Sequence, residues 1–146
     1  MSNRKQSGQT NSPTPDQPGW TVARPVVSCF EFHRQLPGSE SVGGVTLLIE
    51  PRQDSRSIVF VVGLPDDLKA EWGWASEIVR DTVNEVIEKG LDGQKPVVGL
   101  TVTLMDLYTH LIDSRPHAFR KATERALLGG FKAVGLVEWR SALAAE

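Results

Sequence analysis

At 146 residues, 40% of them hydrophobic, the chain is long enough for one domain with a real core. No stretch nears the roughly 18 apolar residues of a membrane span, and the single cysteine, Cys29, excludes an internal disulfide or a cysteine-based metal site. The net charge of −2 argues against a general nucleic-acid coat.

Residues 1–23 are rich in Ser, Gln, Asn, Pro and Gly. They read as a disordered tail, because they have too little apolar surface to offset the entropy of ordering. The tail lacks the apolar run of a signal peptide, and a cytoplasmic protein is the simplest expectation. The domain is expected over residues 24–140, with 141–146 as a C-terminal tail.

Residues 26–35 predict a first strand with Phe30 and Phe32 on one face, and Cys29 within it reads as a buried, inert thiol. A Pro- and Gly-rich turn leads to a second strand over 45–51, stopped by Pro51. The third strand, 58–63, is an unbroken apolar run and is expected to be buried on both faces. Ala75, Ile78, Val79, Val83, Val86 and Ile87 then fall on one face of a helix. That helix begins at about Leu68 or Trp74 and ends at Lys89. Trp72 and Trp74 at its start are expected to pack over the sheet end. Residues 97–105 predict a fourth strand. A last helix starts near Pro116, with Asp113 or Ser114 as candidate N-caps. The order β, β, β, α, β, α predicts an α+β two-layer sandwich, a four-stranded mixed sheet with two helices on one face.

Charge is unevenly spread. Residues 64–92 hold eight acids and three bases, and residues 93–146 hold seven bases and five acids. One part is acidic and the other mildly basic, which permits a one-sided contact with a polyanion.

Residues 96–122 run from strand to loop to helix and carry His110, Asp113 and Ser114 at the loop apex. These residue types also occur in hydrolase triads, but five consecutive loop residues do not set a base between a nucleophile and its orienter. No G-x-x-x-x-G-K-[ST] motif is present, so no P-loop and no GTP site is expected.

This segment resembles domain IV of translation elongation factor G. The family pattern is close to P-V-V-D-V-x-V-T-L-x-D-G-x-Y-H-D-V-D-S-S-x-x-A-F-x-x-A. Pro96, Val97, Val98, Val102, Thr103, Leu104, Asp106, His110, Asp113, Ser114, Ala118, Phe119 and Ala122 match it without a gap. Upstream, Arg34, Gln35, Gly38, Gly43, Val45, Glu50 and Pro51 sit at the family's offsets. The resemblance implies a left-handed βαβ crossover within the sandwich, the fold of ribosomal protein S5 domain 2.

In the full factor this domain resembles a lever arm whose tip enters the decoding site of the small ribosomal subunit and meets the tRNA–mRNA pair. For this chain the resemblance implies a non-catalytic module binding the ribosome (small subunit) or structured RNA through loops 36–43 and 106–115, with no cofactor and no metal. His110 is placed to hydrogen-bond or stack on RNA, and Tyr108 offers a ring for base stacking. Arg115 has no expected structural duty and is a contact candidate, as is Arg34 near the tip. Lys121 and Arg125, on the outer stripe of the last helix with Lys132, are candidates for phosphates. The tip departs from the family where Pro37 stands in for Gly, and where Leu107, Tyr108, Thr109 and Leu111 replace Gly, Ser, Tyr and Asp. The alternative is therefore a protein-interaction or structural module that kept the fold and lost the ribosome. It would present an exposed apolar patch or a sheet-edge homodimer.

Overall fold

The computed structural model describes residues 17–35, 40–90 and 95–141. Along the chain come β1 (Trp20–Val22), β2 (Val26–Arg34), β3 (Ser41–Pro51) and β4 (Ile58–Val62), then α1 (Asp66–Glu71) and α2 (Gly73–Lys89). β5 (Leu100–Tyr108), α3 (Pro116–Val134) and β6 (Leu136–Glu138) complete it. The main sheet has the order β2-β3-β5-β4. β3 is antiparallel to both its neighbours, whereas β4 and β5 run parallel. Parallel neighbours need a crossover, which α1 and α2 supply.

Strand alternation sets the two layers. Val45, Leu47 and Ile49 of β3 and Leu100, Val102 and Leu104 of β5 are buried in one core with Val79, Val83, Phe119, Ala122, Ala126 and Leu127 of the helices. Their neighbours Thr46, Leu48, Thr101 and Thr103 face the other way and are only half-buried. The α+β two-layer sandwich with a mixed four-stranded sheet is therefore the observed fold. Ser28 Oγ donates to the Ala126 carbonyl oxygen at 2.7 Å, and a Cβ on Gly130 would lie 2.7 Å from Ile49 Cδ1. Small residues on α3 thus let it lie close to β2 and β3. Ala133, beyond that contact, is exposed.

Several expectations change. β4 is an end strand covered on one face only, so Val59 and Val61 are 36% and 41% exposed, and the run is not buried on both sides. Cys29 is exposed for the same reason, alternating with Phe30 onto the open face of the other end strand. Of the two starts expected for the helix the later one holds: α2 begins at Gly73, and α1 is a separate short helix broken from it at Trp72 (φ −116°, ψ 32°). The break turns the Trp72 ring inward, 6.3 Å from the Phe119 ring and 5.6 Å from Trp74.

The domain boundary expected at residue 24 also moves. β1 pairs with β6, Val22 is buried, and Thr21 Oγ1 donates to the Gly99 carbonyl oxygen at 2.9 Å. Trp20 N–H donates to Pro96 O and Val98 N–H to Trp20 O, each at 2.9 Å. Val97 and Val98 thus serve β1, and β5 starts only at Leu100. Gly99, at φ 62°, makes the turn between them, a conformation that side-chain-bearing residues rarely adopt. Residues 1–16 of the expected tail, 36–39 of the first loop and 142–146 lie outside the described residues.

Candidate functional site

A change of phase in β5 builds the tip. Leu47 pairs with Leu104 but Thr46 pairs with Asp106, so Met105 is an extra residue, a β-bulge. Without it, Asp106 and Tyr108 would face the core. With it, Leu107 is buried and Tyr108 emerges on the open face, 42% exposed. Asp106 Oδ1 accepts the Leu107 N–H at 2.9 Å and steadies the bulge.

Gly43 and Gly44 clear both faces of β3 at this end. A Cβ on Gly43 would sit 3.0 Å from Ala118 Cβ and 3.1 Å from Phe119 Cδ1, beneath the start of α3. A Cβ on Gly44 would sit 2.9 Å from Tyr108 Cβ and 3.0 Å from Glu31 Cγ. The gap lets side chains of β2 and β5 meet across β3. His33 lies 5.7 Å from the Tyr108 ring, and its Nε2 is 3.5 Å from Glu31 Oε1. The sequence reading missed His33 and Glu31, although the double glycine marked the place.

The loop after β5 is a closed turn. The Ser114 N–H donates to the His110 carbonyl oxygen at 3.0 Å, and Ser114 Oγ accepts the His110 N–H at 2.6 Å. The Asp113 N–H donates to His110 Nδ1 at 3.2 Å, leaving the imidazole edge bearing Nε2 as its free polar edge. Ser114 thus meets the His110 backbone and not its ring, so no relay through the three residues exists. Neither Asp113 nor Ser114 caps α3. Arg115 occupies the N-cap position without a side-chain cap, and Pro116 removes one donor that would otherwise need a partner.

This turn is fastened to the start of β3. Val42 N–H donates to the Asp113 carbonyl oxygen at 2.9 Å, and Arg115 Nε donates to the Glu40 carbonyl oxygen at 2.8 Å. Arg115 therefore has a structural duty that its sequence context did not reveal. The two expected loops are also shorter than predicted, since Ser41–Gly43 and Asp106–Tyr108 belong to strands.

Arg34 ends β2 beside Ser41 and shares the tip with His110, Arg115 and Tyr108. Lys121 and Arg125 do not. At 1.5 Å per residue, Arg125 is roughly 14 Å down α3 from Pro116. Its guanidinium stacks over the Phe30 ring at 5.7 Å, and Lys121 pairs with Glu124 at 3.8 Å. They form a flank, not the apex. The apex itself carries Leu111 and Ile112, 86% and 79% exposed. Acids (Glu31, Glu40, Asp106, Asp113) balance the bases nearby, so the tip is not a basic funnel.

The fold and the fastened 109–115 turn define an α+β domain with one end built from the start of β3 and the turn after β5. The family model for elongation factor G, domain IV, matches residues 21–134, and the chain belongs to that family. Domain IV is a non-catalytic, translation-related domain of its parent factor. A crystal structure of a protein from Thermus thermophilus is similar with a TM-score of 0.70 at 20% sequence identity, over 83% of this chain and 18% of that one. This chain spans less than a fifth of that protein, and the likeness is one of fold. Among the described residues, no helix is long and apolar enough to cross a membrane.

Proposed function

We propose that the domain is a non-catalytic, translation-factor-like module that binds the ribosome, at its small subunit, or structured RNA, through its tip. The observation that carries this reading is the fastening of the 109–115 turn to the start of β3 by Val42 and Arg115. A pre-ordered projection loses little entropy on docking. His110, Tyr108, Arg34 and Arg115 supply the ring faces and donors that single-stranded or irregular RNA accepts, with His33 beside Tyr108. Lys121 and Arg125 then serve as flanking phosphate contacts. The chain works in the cytoplasm, where its target is. Co-sedimentation with small ribosomal subunits tests the reading, and binding that falls as salt rises is the expected result. Absence of binding at low salt would overturn it.

A second reading is favoured by one specific observation. Leu111 and Ile112 stand almost fully in solvent at the apex. Aliphatic side chains neither stack like rings nor donate hydrogen bonds, so they suit an apolar protein surface better than a base. Under this reading the tip docks on a protein, and pull-down partners survive RNase.

A further inference from the structure

The end strand β4 is unprotected in a way that β2, at the opposite edge, is not. β2 carries Glu31, His33 and Arg34, whereas β4 reads Ile-Val-Phe-Val-Val with no charge, proline or bulge. Monomers usually guard an edge with one of these devices. Gly63 N–H donates to the Leu104 carbonyl oxygen at 2.8 Å. By strand alternation Val59 and Val61 also turn their amides toward β5, which leaves the N–H and C=O groups of Ile58, Phe60 and Val62 facing outward.

Beside that edge lies a groove of about 210 Å³, lined by Phe60 and Val62 of β4, Lys69 of α1, and Gly73, Ser76, Glu77 and Arg80 of α2. Its inner wall holds a buried hydroxyl, Ser76 Oγ, that has no hydrogen-bond partner. A Cβ added at Gly73 would meet nothing within 4 Å. The groove is therefore roomy and apolar along the strand.

We propose that β4 pairs antiparallel with β4 of a second copy of this chain, joining two sheets into one across a two-fold axis at Phe60. The strand is complementary to itself in this register. Phe60 lies opposite Phe60, Ile58 opposite Val62, and Val59 opposite Val61, so no charge faces a like charge and every outward amide meets a carbonyl. Phe60 and Val62 of one copy reach the groove of the other. The exposed apolar Val59 and Val61 meet their counterparts on the open face. None of this involves the tip loops, so pairing through β4 and ribosome binding are separable.

The test uses the full chain in reductant, which keeps a Cys29 disulfide from being read as assembly. Sedimentation equilibrium should give a dimer whose population rises with concentration. Amide exchange at Ile58, Phe60 and Val62 should slow with it. The double variant Val59→Lys, Val61→Lys sets lysines opposite each other and should be monomeric with an unchanged circular dichroism spectrum. A wild-type monomer at about 1 mM would overturn the proposal. So would a dimer in which those three amides exchange at the rate seen on dilution, or a folded double variant that still dimerises. Should the variant unfold, concentration-dependent exchange in the wild type decides.

Discussion

Arg115 Nε donates to the Glu40 carbonyl oxygen at 2.8 Å across 75 positions of sequence. The bond joins the turn after β5 to the chain entering β3. Arg115→Ala should leave the fold intact, costing about 1 kcal/mol or less because the bond is exposed. The Val42 amide, which the Asp113 carbonyl oxygen accepts, should exchange measurably faster. Arg115→Lys should not restore protection, since an ammonium lacks the planar Nε–H.

Ser114 and Asp113 should separate in their effects. Ser114 Oγ closes the turn by accepting the His110 N–H, while the Asp113 turn contacts are made by its backbone. Ser114→Ala should destabilise by about 1 kcal/mol in urea unfolding, and Asp113→Ala by less. The Asp113 carboxylate does stand 3.5 Å from His110 Nδ1, but that pair is partly exposed and adds little.

Gly44→Val should be among the costly single substitutions at the tip. The new Cβ would lie 2.9 Å from Tyr108 Cβ and 3.0 Å from the Phe30 carbonyl oxygen, which is backbone and cannot swing aside. A loss of about 1–3 kcal/mol is expected, read as a lower urea midpoint at unchanged slope.

Leu111→Ser with Ile112→Ser should do the opposite. Both side chains are already in solvent, so stability should stay within about 0.5 kcal/mol of wild type. Partner binding is where the change belongs. Loss of binding at unaltered melting temperature would assign the apolar apex to recognition.

Much of this architecture is legible in residue patterns. The apolar period of Ala75, Val79 and Val83 marks the buried face of α2, and the alternation of Val45, Leu47 and Ile49 marks that of β3. What escapes the patterns depends on contacts between distant segments. Trp20 and Thr21 lie in a polar stretch, and their pairing with β6 and their bonds to Pro96, Val98 and Gly99 order them. The Met105 bulge is visible afterwards as a slip from Leu104 to Leu107, but periodicity alone does not say which strand absorbs it. At the site, His110 and Tyr108 could be placed at the tip from their position in the chain. The role of Arg115 could not, because its acceptor is a backbone oxygen in another loop. Lys121 and Arg125 share a helix face, and the helical rise that sets Arg125 roughly 14 Å from Pro116 is already legible in the spacing.

The measurement closest to the central claim is co-sedimentation of the chain with small ribosomal subunits, run for wild type and for the double variant His110→Ala, Arg115→Ala, each checked for a native circular dichroism spectrum. Salt-sensitive binding by the wild type is expected, with a loss of at least about tenfold in the variant, roughly 1.4 kcal/mol. Equal binding by the two folded proteins, or none by the wild type at low salt, would contradict it.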